Sequence, residues 1–159
     1  MSIQSGARLR EVPARDRGMG VVPLAACELM ASARRSLTEA TLAGTPHERY
    51  ASAHLSALRA AAAVLAARSC PQGKRRARVR SVWAVLPETA AEFSEWAAFF
   101  AAGARKRASA EAGIPCVTHR EADDLVRDAD AFIARVSAFL GLPHQLSLIH
   151  ISEPTRPER

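Results

Sequence analysis

Arg49 and His54, separated by Tyr-Ala-Ser-Ala, are an arginine and a histidine close in sequence, residue types that can hold an anion and move a proton. A histidine with a pKa near neutrality can take or return a proton. An arginine can stabilise charge that develops on phosphoryl oxygens. Their spacing is awkward for a shared task, because five residues at about 100° each set the two side chains about 140° apart around an unbroken helix. His54 falls in line with Tyr50, Leu58 and Leu65, which is also the place of a packed or hydrogen-bonded core histidine.

A second set of chemistry-bearing residues is basic. Lys74, Arg75, Arg76, Arg78 and Arg80 crowd into SCPQGKRRARVR, residues 69–80, and Arg105, Lys106 and Arg107 follow later. Together they form a candidate phosphate-binding set; the alternative is a solvated loop and a solvated helix face. The chain carries a net charge of +6, which favours nucleic acid or another anionic partner. Trp83 and Phe99 fall off the main apolar stripe of their segment, where they could stack on bases or form a second packing surface or dimer interface.

Other chemistries lack their residues. Glu121, Asp123, Asp124, Asp128 and Asp130 alternate around a helix with no histidine at metal spacing, so they read as a solvated face, with Asp123 and Arg127 as an i,i+4 pair. Neither a metal nor a cofactor is expected. There is no glycine-rich phosphate loop, no GxSxG and no HExxH. Cys27, Cys70 and Cys116 are widely spaced, which implies neither a disulfide framework nor a zinc site and fits a reducing cytoplasm.

The elements that must position these residues are helical. Residues 1–22 are rich in Arg, Gly and Pro without periodicity and read as a flexible basic arm. A first helix is predicted from Leu24 to Ala43, with Leu29, Met30, Ala33, Leu37 and Ala40 on one stripe and Gly44 as its stop. Thr45-Pro46-His47-Glu48 is a capping box that opens a second helix ending near Arg68. Apolar residues then recur at helical spacing from Val82 to about Ala102, with Pro87 kinking or dividing the segment. GARKRASAEAG reads as a short helical turn or two, closed by Gly113 and Pro115. Thr118-His119-Arg120-Glu121 opens a last helix that stops at Gly141 and Pro143. The expected fold is all-α: one antiparallel bundle of four main helices with a short extra helix, over residues 23–142, followed by an unstructured tail over 143–159.

That tail changes composition abruptly. Residues 146–159, LSLIHISEPTRPER, contain no alanine, and LSLIHISEPTR resembles the translation of a transposase-based sequencing adapter. The segment is set aside from fold reasoning, and His150 with it. Leu24-Ala25-Ala26-Cys27 resembles a lipoprotein cleavage box, which leaves an anchor at Cys27 as an alternative to a cytoplasmic location. No run of about 18 apolar residues is present to span a membrane.

ERYASAHLSALRAAAAVLAAR, the basic loop, EWAAFFAAGARKRASAEAGIP and THREADDLVRDADAFIARVSAFLG together resemble an actinobacterial, SAV-like branch of the HEPN domains, over about residues 24–142. The resemblance implies a small helical bundle, often dimeric, in a superfamily of metal-independent RNases, nucleotidyltransferase partners and non-catalytic nucleic-acid-associated members. Active RNases of the superfamily carry Arg, four to six residues, then His, a pattern that Arg49 and His54 fit, although in those enzymes it sits in a later helix. The resemblance also implies neighbourhoods of error-prone DNA polymerases. Three functions follow as expectations. The first is a non-enzymatic accessory protein that binds nucleic acid or a nucleic-acid-processing partner, such as a DNA-repair polymerase. The second is a metal-independent endoribonuclease using Arg49 and His54. The third is a structural helical dimerisation module.

Overall fold

A computed structural model describes residues 20–68 and 80–143. They form α1 (Leu24–Leu42), α2 (Pro46–Arg68), α3 (Val82–Thr89), a 3-10 turn (Ala91–Phe93), α4 (Ser94–Glu111) and α5 (His119–Leu140). No strand occurs among the described residues, so the all-α expectation holds. The arm up to residue 19, Lys74, Arg75, Arg76 and Arg78 of the basic loop, and residues 144–159 lie outside them.

Side-chain contacts fix the directions of the helices. Arg49 meets Asp123 and Arg68 meets Phe139, so α2 and α5 run the same way. His54 meets Phe100, and Tyr50 lies beside Gly103, so α4 runs against α2. The short connection after Leu42 turns α1 back along α2. Small residues fill the α1 and α2 faces: Ala26, Ala33, Ala40, Ala53, Ala57, Ala60, Ala61 and Ala63 are fully buried. Their size lets helix axes approach closely. Around α3, α4 and α5 the filling is aromatic, with Trp83, Phe93, Phe100 and Phe132 buried and in mutual ring contact.

The helix ends follow their local chemistry. The Thr118 hydroxyl accepts from the Glu121 amide at 3.1 Å, and the Glu121 carboxylate accepts from the Thr118 amide at 2.8 Å, so this capping box is complete. At Thr45 the hydroxyl accepts from the Glu48 amide at a longer 3.4 Å and also meets His47 Nε2 at 3.3 Å. Gly113 and Gly141 adopt the left-handed conformation, with φ of 74° and 68°. In each case the next residue's amide reaches back, Ile114 to the Ser109 carbonyl and Leu142 to that of Ser137, which closes α4 and α5 with Schellman turns.

Two boundaries differ from the sequence reading. The segment beginning at Val82 divides at Ala90, extended at φ −145° and ψ 91°, while Pro87 sits inside α3. GARKRASAEAG is no separate element, since α4 runs without interruption through Gly103 to Glu111. The short helix of the bundle is therefore α3. Leu24-Ala25-Ala26-Cys27 forms the first turn of α1, with Ala26 fully buried. Among the described residues no helix is long and apolar enough to cross a membrane.

Candidate functional site

His54 projects from the middle of α2 into the aromatic region and is only 1% exposed. Its Nε2 lies 2.8 Å from the Phe100 carbonyl oxygen. A carbonyl can only accept, so the hydrogen resides on Nε2. The ring stands edge-on to Trp83 and Phe100, each with centroids 5.8 Å away. Nδ1 is buried and has no hydrogen-bond partner among the described residues. Burial pushes the His54 pKa below the ordinary histidine range, the bond to Phe100 pulls it the other way, and the Arg107 charge lowers it again. The side chain is thus a neutral core imidazole that ties α2 to α4.

Gly103 makes this approach possible. A Cβ built at that position would lie 3.0 Å from the Tyr50 hydroxyl and 3.5 Å from His54 Cδ2. Glycine is a poor helix former, yet here it sits inside α4 beside Tyr50 and His54 of α2.

Arg49 points elsewhere. Its Nη1 donates to Asp123 Oδ1 at 2.5 Å and its Nη2 to the Ala43 carbonyl at 3.2 Å, so the guanidinium bridges α5 and the end of α1. Arg49 and His54 therefore share no site in this conformation: one is held at the bundle rim, the other inside the core. Asp123, which the i,i+4 reading assigned to Arg127, belongs to Arg49, and Arg127 pairs with Asp124 instead. The partner of Arg49 lies 74 residues away, and nothing local in the sequence marks it.

The described members of the basic set are mostly engaged. Both Nη atoms of Arg80 donate to the Glu88 carboxylate, at 3.0 and 2.6 Å. That bond raises the Arg80 pKa and lowers that of Glu88. Lys106 pairs with Glu121 across α4 and α5. Donation from Lys106, together with the Thr118 amide and hydroxyl, pulls the Glu121 carboxyl down to about 2. Arg107 holds Glu111 within α4, with Nη2 at 2.7 Å from the carboxylate. Arg105 is exposed and has no ion-pair partner among the described residues.

Charge is unevenly divided. The described segments contain twelve Lys and Arg against twelve Asp and Glu, so they sum to zero. The whole excess falls on the arm, at +2, and on Lys74, Arg75, Arg76 and Arg78, at +4. Of the two off-stripe aromatics, Trp83 is 6% exposed and stacked on Phe100 with centroids 5.0 Å apart, which makes it a packing residue. Phe99 is 46% exposed and meets Phe100 by its edge. Among the described residues no group of His, Cys, Asp and Glu could hold a metal ion.

The family model HEPN_SAV_6107, an HEPN domain of the SAV_6107-like type, matches residues 40–137, more than half of the chain, from the end of α1 through most of α5. No curated protein and no solved structure matches.

Proposed function

From the fact that the chain belongs to the SAV_6107-like HEPN domains, we propose that it is a non-catalytic accessory module that binds nucleic acid through the basic segment after α2. The observation that carries this reading is the division of charge: a neutral helical body joined to a run of four cations with no acid among them. Such a run neutralises phosphates and releases their counterions, which gives affinity without base readout. Arg80, Lys106 and Arg107 are already engaged by carboxylates, so binding falls mainly to Lys74, Arg75, Arg76 and Arg78, with Arg105 as the exposed member of the set on α4. The non-catalytic part is supported by His54, whose Nε2 is used by Phe100 and whose ring does not reach solvent.

The test is a mobility shift of end-labelled RNA and single-stranded DNA in EDTA across a salt series. Affinity is expected to fall steeply with salt, and substrates are expected to stay intact. Replacing Lys74, Arg75, Arg76 and Arg78 by alanine should flatten the logarithmic salt slope by about 3, at roughly 0.7 per phosphate contact on single strands. Unchanged affinity in that variant would refute the assignment. Cleavage in EDTA that disappears in His54→Ala would replace it with the endoribonuclease reading. No binding, but capture of a nucleic-acid-processing protein through the same four residues, would turn the module into a protein adaptor.

A further inference from the structure

Arg68 closes α2 with its side chain against α5. Its guanidinium carbon lies over the Phe139 ring, 4.8 Å from the centroid. That ring is half-buried and stands edge-on to Phe93, with centroids 5.2 Å apart and planes at 75°, so it is a fixed backing. Arg68 itself is exposed, and no carboxylate pairs with it among the described residues. Arg135, one turn before Phe139 on the same side of α5, is likewise exposed and without a carboxylate partner among them. Arg80, Lys106 and Arg107 differ in being held by acids. Arg68 also stands beside the basic run in the chain. Lys74 follows it six residues later, which keeps their Cα atoms within about 22 Å.

We infer that Arg68, backed by Phe139, is a stacking platform for an unpaired base of a single-stranded nucleic acid whose phosphates the neighbouring cations hold. The inference rests on the nucleic-acid reading above and adds to it the class of strand. A guanidinium is planar, delocalised and weakly hydrated, so a base can lie on it with little loss of hydration. Phe139 keeps the group in place by cation–π attraction. In a duplex each base is already stacked between its neighbours, so only an unstacked base can use the platform. Every base has a π face, and the contact therefore adds affinity without choosing a sequence. Arg135 is placed to take a phosphate beside the stacked base. An acidic protein segment would meet the same cations but would gain nothing from the plane of Arg68.

Fluorescence anisotropy of the full chain tests it, with a labelled thymidine strand of about twelve nucleotides and an abasic strand of equal length and charge. The parent should bind the thymidine strand at least about fivefold more tightly, the lower end of what one stacked base contributes. Arg68→Lys keeps the charge and loses the plane. Its affinity for the abasic strand should stay within about twofold of the parent, while the advantage of the thymidine strand disappears. Phe139→Leu keeps an apolar side chain beside Phe93 and should shrink that advantage too. Unchanged circular dichroism is expected in both variants. Equal affinity of the parent for the two strands overturns the inference and leaves phosphate binding in place. A thymidine advantage that survives Arg68→Lys overturns it equally, since the stacking then occurs elsewhere. Binding of neither strand defeats the nucleic-acid reading itself, and the inference with it.

Discussion

The α1–α2 face and the region enclosed by α3, α4 and α5 both exclude water, but they are filled in opposite ways. In the first, methyl groups of fully buried alanines do the filling, and the helix backbones come close. In the second, the helices stand around rings, and Phe132 alone touches Trp83, Phe93, Trp96 and Phe100. An alanine face has little to lose when a side chain shrinks and much to lose when one grows. An aromatic region behaves the other way round.

The largest expected effect is on the aromatic side. Phe132→Ala should lower the unfolding free energy by about 3–5 kcal/mol, measured by urea denaturation, because it removes the ring and leaves a cavity among rigid neighbours. A smaller change would mean that Trp96, which is only half-buried, swings in to fill the space. On the alanine side, Ala60→Leu should cost about 1–3 kcal/mol by overpacking, even though it adds apolar area. A neutral or stabilising result would break the contrast, since it would reveal slack around the alanines of α2.

His54 gives the smallest effect and sharpens the contrast through pH. Its folded pKa lies below the unfolded value near 6.5, so below that pH the unfolded chain binds the extra proton and the folded chain does not. The stability present above about pH 6.5 is therefore lost as pH falls towards the folded pKa, by at most about 1.4 kcal/mol per pH unit. Comparing urea midpoints at pH 7.5 and 5.5 should show a larger fall in the parent than in His54→Gln. Equal falls would mean that the imidazole titrates as it would in water.

Much of this architecture was legible in the chain, because helix periodicity and terminal chemistry are local properties. Thr118 with Glu121, and the left-handed Gly113 and Gly141, act through neighbours within a turn. The misread points are those where distant packing overrides local preference. Gly103 looks like a stop by propensity, yet its missing Cβ is what Tyr50 and His54 require. Pro87 looks like the breakpoint, yet the extended residue is Ala90, whose type signals nothing; the break leads into the turn that sets Phe93 against Phe132 and Phe139. The candidate site was legible in part. The place of His54 followed from its alignment with Tyr50, Leu58 and Leu65. The ion pairs of Arg49 and Lys106 join separate helices and leave no trace in sequence spacing.

The exact cancellation of twelve cations by twelve anions has a colloidal meaning as well. A helical body with no net charge sits close to its isoelectric condition at neutral pH, where proteins tend to associate and precipitate. The cations outside the described residues supply the net charge, and with it the mutual repulsion, that the body lacks. The same four residues that would draw the molecule to a polyanion would also oppose the approach of its copies, so an anion that neutralised them would ease crowding along the strand.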